Sequence, residues 1–144
     1  MYRKGGHGLE VFLVHPGGPF WKNKDAAAWS VPKGEYGQDE DPAAAARREF
    51  AEETGFSVRG ELHDLGEIRR SGKKLRVWAV EGDLDPEQVK SNSFSMEWPP
   101  RSGNQREFPE VDKAAWFSLD QAREKLHKGQ RELLGRLEEL VSGK

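Results

Sequence analysis

Residues 34–56 read GEYGQDEDPAAAARREFAEETGF, and the fold is decided in this stretch. Asp41 suits the N-cap of a helix, because its side-chain oxygen can accept from the free amides of the first turn. Pro42 suits the first helical position, where the missing N–H is not needed. Ala43 to Ala46 are strong helix formers, and Gly55 supplies the left-handed residue that stops the helix. Glu49, Glu52 and Glu53 then stand at i, i+3 and i+4, so their carboxylates project from one face.

Alone, that helix gains nothing from the arrangement. Each like-charge pair at this spacing costs a few tenths of a kcal/mol, and the dipole disfavours anions in the last turn, where Glu52 and Glu53 lie. A bound divalent cation reverses both signs. An all-oxygen carboxylate set with room for water and phosphate suits Mg²⁺ or Mn²⁺. On charge pattern alone, a solvated acidic face is the competing account.

Working outward, Leu9 to Val14 is an apolar, β-prone run that ends at the loop residues HPGGP. The segment WSVPKG, residues 29–34, is extended up to its Pro-Lys-Gly turn, since the residue before proline is pushed out of the helical region. Beyond the helix, residues 57–68 and 75–80 are β-like and joined by a turn around Ser71-Gly72, which predicts a hairpin. Residues 90–112 lack a clean period and hold two consecutive prolines, so a long loop is expected there. Residues 114–117 form a short strand, and Ser118 with Gln121 makes a capping box for the next helix. Leu133, Leu134, Leu137, Leu140 and Val141 form the apolar stripe of a last helix. Strands, helix, strands and helices in this order predict an α/β (α+β) sandwich with a central mixed sheet.

The stretch from 34 to 56 also resembles the signature box of the Nudix hydrolases. Gly34, Glu40, Arg48-Glu49, the apolar Phe50, Glu52-Glu53, Gly55 and the apolar Phe56 all fall at the spacing of that box. The resemblance implies one α/β/α Nudix domain over residues 1–144, and a metal-dependent hydrolase that cleaves a diphosphate linkage. It implies that Glu49, Glu52 and Glu53 are metal ligands, that a backbone carbonyl at Lys33 or Gly34 adds another, that Arg48 orients the glutamates, and that Glu40 braces the loop. Glu110 resembles the additional metal-binding or basic glutamate of MutT-like members, with Glu107 a second loop candidate. Two departures stand out. The family commonly has a strand before the equivalent of Leu9, where this chain offers only MYRKGGHG, so a shortened sheet edge is expected. Phe50 stands where a smaller aliphatic residue is usual.

The entry WSVPKGE resembles the dinucleoside polyphosphate and diphosphoinositol polyphosphate branches, in which a lysine such as Lys33 could neutralise an extra phosphate. A base could stack on an aromatic platform, for which Trp21, Trp29, Phe94 and above all Trp98 are candidates. Arg69, in the basic hairpin, is a candidate for a distal phosphate. His15, His63 and His127 show no paired spacing and read as structural or surface residues. The expected substrate is a dinucleoside polyphosphate, with a MutT-type nucleoside triphosphate pyrophosphatase and a non-catalytic ligand-binding module as alternatives.

The 144 residues contain no cysteine, which excludes thiolate metal sites and gives no support for disulfides. A net charge of -2 argues against binding long nucleic acid. No apolar run approaches a membrane span of about 20 residues. These features predict a soluble, cytoplasmic protein that binds neither long nucleic acid nor a membrane, and the resemblance implies an enzyme with a nucleotide-like small-molecule partner and, because dimers are common in the family, a homodimer.

Overall fold

Strand β2, Gly8–Pro16, carries core on both of its faces. Its apolar run is continuous, and side chains alternate across a strand, so two hydrophobic layers meet on one backbone. Val11 and Leu13 pack with Trp29, Ala122, Leu126, Leu134 and Leu137. Phe12 and Val14 pack with Phe50, Leu84 and Val111 on the opposite face. Helix α1 (Pro42–Thr54) supplies Phe50, while α2 (Leu119–Lys125) and α3 (Glu132–Val141) cover the other side. The result is an α/β/α arrangement in a computed structural model that describes residues 1–6, 8–33, 39–70 and 73–143.

β2 is the middle strand of an antiparallel sheet, between β1 (Tyr2–Gly5) and β7 (Val111–Ser118). The chain at residues 80–82 runs parallel beside β1, with Tyr2 N–H donating to the Val80 carbonyl at 2.9 Å and Gly82 N–H to the Tyr2 carbonyl at 3.0 Å. This makes the layer mixed. Two hairpins complete the fold, β3 (His63–Arg70) with β4 (Lys73–Ala79), and β5 (Ser93–Glu97) with β6 (Gln105–Pro109). The expected turn at Ser71-Gly72 lies outside the described residues.

Three expectations change. The leading strand is present, since four residues suffice to pair Tyr2 with Val11 and to bury Tyr2. The β-like reading from 57 onward is trimmed, the strand beginning only at His63. The expected long loop from 90 to 112 instead holds the β5–β6 hairpin. Its strands are five residues each and half exposed, alternating polar with Phe94, Met96 and Phe108, too short for periodicity to stand out. Among the described residues no helix is long and apolar enough to cross a membrane.

Helix α1 forms as its ends dictate. The Asp41 carboxylate accepts from Ala44 N–H at 3.0 Å, and Gly55 ends the helix at φ 80° with its N–H on the Ala51 carbonyl. A Cβ on Gly55 would also come within 2.9 Å of the Lys90 carbonyl oxygen. Phe50, larger than the family habit, fits because Phe12 offers its ring at 6.1 Å.

Candidate active site

A relay of backbone hydrogen bonds brings distant parts of the chain to the C-terminal end of α1. Lys90 N–H donates to the Thr54 carbonyl at 2.9 Å and Asn92 N–H to that of Glu52 at 2.9 Å. Glu110 N–H donates to the Asn92 carbonyl at 2.8 Å, and Gly17 N–H to that of Glu110 at 3.0 Å. Glu110 is thereby fixed between the glutamate helix and the loop after β2. That loop presses hard on the β5–β6 hairpin, since a Cβ on Gly17 would lie 2.0 Å from the Pro109 carbonyl oxygen.

The loop is tied down again at its base. His15 is buried, with Nδ1 2.7 Å from Asp112 Oδ1 and Nε2 2.5 Å from the Lys24 carbonyl oxygen. Asp25 accepts from Trp29 Nε1 at 2.8 Å and from Lys125 Nζ.

Arg48 is the hub of the acidic face. Its guanidinium donates through Nε and Nη2 to both oxygens of Glu40 at 2.9 Å, and Nη1 lies 2.9 Å from Glu49 and 3.3 Å from Glu52. Its pKa is raised, first by the bond to Glu40 and, against some desolvation, by Glu52 and Glu49. Glu53 points elsewhere, accepting the Lys33 backbone N–H at 2.6 Å. Burial pushes the Glu53 carboxyl up to about 8; the Lys33 amide and charge oppose this, while Glu49 and Glu110 reinforce it. Glu110 is likewise shifted upward, by burial first and then by the charges of Glu49 and Glu52. The four glutamates therefore sense one another across the helix and the loop.

Glu53, Glu110 and Lys33 line a cavity of about 410 Å³. Trp21, Phe94 and His127 are among its other walls. A separate apolar space of about 90 Å³ lies in the core among residues such as Tyr2, Phe12 and Leu134, and among the described residues no glutamate lines it.

Not every anticipated residue reaches the cavity. Trp98 stands beyond its lining, edge-on to Phe20 with ring centroids 5.6 Å apart. Arg69 is exposed on β3, its carbonyl near Gly129, and is not among the lining residues. Glu107 is exposed on β6 opposite Ser95. Gly34 lies outside the described residues. His127 was legible only as a surface or structural residue, yet it lines the cavity because its N–H donates to the Trp29 carbonyl at 2.8 Å. No local signal marks it, whereas the Gly17-Gly18 pair before Trp21 does signal a close approach of backbone.

Among the described residues no three acidic or imidazole groups already stand in ligating geometry. The donor set nevertheless fits a hard divalent cation. All its side-chain donors are oxygens, and the burial that lifts Glu53 and Glu110, with the repulsion of neighbouring glutamates added to it, is what such a cation offsets.

The family model of the NUDIX domain matches residues 1–137. The chain belongs to the NUDIX family. No curated protein matches the sequence. Among solved structures, a Caenorhabditis elegans Ap4A hydrolase in a binary complex is similar at 21% identity and a TM-score of 0.66, covering 99% of this chain and 95% of its own. A MutT protein from Methanosarcina mazei Go1 is similar at 20% identity and a TM-score of 0.61, covering 97% of this chain and 90% of its own. The NUDIX domain of Shewanella oneidensis NrtR, complexed with ADP ribose, is similar at 16% and 0.62, covering 97% and 82%. At these identities the likeness is one of fold.

Proposed function

We propose that residues 1–144 form one Nudix domain that hydrolyses a diphosphate linkage in a nucleoside diphosphate derivative, with a dinucleoside polyphosphate as its substrate. The observation that carries this reading is the cavity itself, which sets Glu53, Glu110 and Lys33 beside the aromatic walls Trp21 and Phe94. A base between the aromatic walls leaves its phosphates by the glutamates. Lys33, in the sequence PKG, supports a substrate richer in phosphate than a triphosphate.

In this reading Glu49, Glu52 and Glu53 hold Mg²⁺ or Mn²⁺, with a backbone carbonyl at Lys33 or Gly34 and the Glu110 carboxylate completing the set. When bound, the cation supplies charge neutralisation for the diphosphate and acidifies a water. Arg48 holds Glu49 and Glu52 in place from the side, and Glu40 holds Arg48. Glu110, held opposite the glutamate helix by its backbone bonds to Asn92 and Gly17, takes the proton of the attacking water. The Lys33 ammonium lies against the phosphate chain, and Arg69 serves its far end. A cytoplasmic location goes with a nucleotide substrate.

The test is phosphate release, with and without Mg²⁺ and a coupled phosphatase, on diadenosine polyphosphates, nucleoside triphosphates, ADP-ribose and a diphosphoinositol phosphate. Metal-dependent turnover that favours the diadenosine compounds is expected. Preference for triphosphates would assign the MutT-type activity instead, and silence on all four by folded protein would defeat the enzyme reading.

A further inference from the structure

Trp21 and Phe94 line the cavity, but a dinucleoside polyphosphate has two bases to place. Strand β5 shows where the second can go. Its burial alternates residue by residue, so Phe94 and Met96 share one face, and Trp98 continues that face because its N–H still pairs with the Asn104 carbonyl at 2.9 Å. At a rise of about 3.3 Å per residue, Trp98 lies about 13 Å along the strand from the cavity wall Phe94.

The loop after β2 runs along the same face. A Cβ on Gly18 would lie 2.9 Å from Phe94 Cζ, which places that backbone against the cavity wall. Two residues later Phe20 meets Trp98 edge-on, at 5.6 Å and 80°. Between these contacts and the next turn, Trp21 lines the cavity. Phe20 is 59% exposed, the one large hydrophobic exposed among the described residues. Two rings are too small a patch for a protein interface, where contiguous apolar areas of several hundred Å² are usual. They are the right size for one base.

We infer that Phe20 and Trp98 form an outer stacking platform for the second base of a dinucleoside polyphosphate whose first base occupies the cavity. The inference rests on the substrate class proposed above. The charge around the rings agrees with it, since exposed Lys22 directly follows Phe20-Trp21 and exposed Lys24 sets its Nζ 5.2 Å from the Trp21 ring centroid, both within the segment that a polyphosphate running from the cavity to the rings would pass.

The experiment compares diadenosine tetraphosphate, which has two bases, with ATP, which has one. The KM for diadenosine tetraphosphate and the inhibition constant of ATP against its hydrolysis are measured for the wild type, Phe20→Ala, Trp98→Ala, the double variant and Trp98→Phe. Stacking on one aromatic platform is worth about 1–3 kcal/mol, so the preference for the two-base ligand over ATP should fall about tenfold in the double variant. Trp98→Phe, which keeps a ring, should recover most of it. A thermal melt separates these effects from unfolding, which Phe20→Ala, at an exposed position, should not cause. Constants that move together for both ligands, or that do not move, would overturn the platform while leaving the substrate class intact. Failure of the wild type to turn over any dinucleoside polyphosphate would overturn the substrate class itself.

Discussion

Helices α1 and α3 are built on different principles. α3 has no side-chain N-cap, but it buries Leu133, Leu134 and Leu137 and is pinned by Arg136, whose guanidinium donates to the Leu65 and Glu67 carbonyls at 3.0 and 2.9 Å. α1 buries only Ala45, Phe50 and Thr54, and is defined at its ends by Asp41, Pro42 and Gly55. Its last turns gather like charges against the dipole, with Arg48 as local counter-ion. α1 too is pinned by an arginine, Arg47 donating to the Val58 and Gly60 carbonyls at 3.0 and 2.8 Å, so the two helices differ in their caps and in the size of what they bury, and α1 is the one free to carry chemistry. Side chains that must meet a cation and water cannot also fill a core.

The sharpest way to break this contrast is to cut each helix where it matters most. Leu137→Ala should cost about 2–5 kcal/mol in denaturant unfolding, with turnover per folded molecule close to wild type. Glu52→Gln or Glu53→Gln should do the reverse, lowering turnover at least about a hundredfold, equivalent to about 2.7 kcal/mol of barrier, while the unfolding midpoint holds in Glu52→Gln and does not fall in Glu53→Gln, which removes a buried carboxyl. Wild-type turnover in both glutamine variants would end the division of labour and the metal assignment with it. A smaller cut, Asp41→Ala, should remove about 0.5–2 kcal/mol of stability by taking away the cap, and no change at all would show that α1 is held by something other than its termini.

The finest test is a slope. Glu53 is raised from its ordinary 4.5 to about 8, so the folded chain binds this proton more tightly than the unfolded one between those values. In chelator-treated protein, its contribution should therefore make stability decline as pH rises from about 4.5 to about 8. Glu53→Gln should flatten that part of the profile, a difference read from denaturant titrations at several pH values. An unchanged slope would mean that the Glu53 carboxyl is not raised in the folded chain.

How legible each region was follows the same physics. α1 was readable to the residue because caps, proline and glycine act within a few positions, as did the Ser118–Gln121 capping box, present with both of its bonds. β2 and α3 were readable from unbroken or periodic apolar runs. What escaped depends on distant partners. The β5–β6 strands are stabilised by each other, and their half-exposed residues leave no strong pattern. His127 reaches the cavity through a backbone bond to Trp29, and the Lys33 amide meets Glu53 across the helix, where a role for its carbonyl or ammonium was the natural expectation. Trp98 was picked out as a pocket wall from its loop context, but the chain puts Trp21 and Phe94 there and leaves Trp98 outside, against Phe20.

The pairing of β2 with β7 also governs how the chain comes to exist. Glu10 lies opposite Ser118, so the most apolar strand must wait through most of translation for the neighbour on its second edge. Until then it presents unpaired amides and carbonyls along a hydrophobic ribbon, the kind of edge that recruits other chains. Expression at low temperature, or in cells rich in chaperones that shield nascent chains, should therefore raise the soluble yield of this protein more than any change at its catalytic helix.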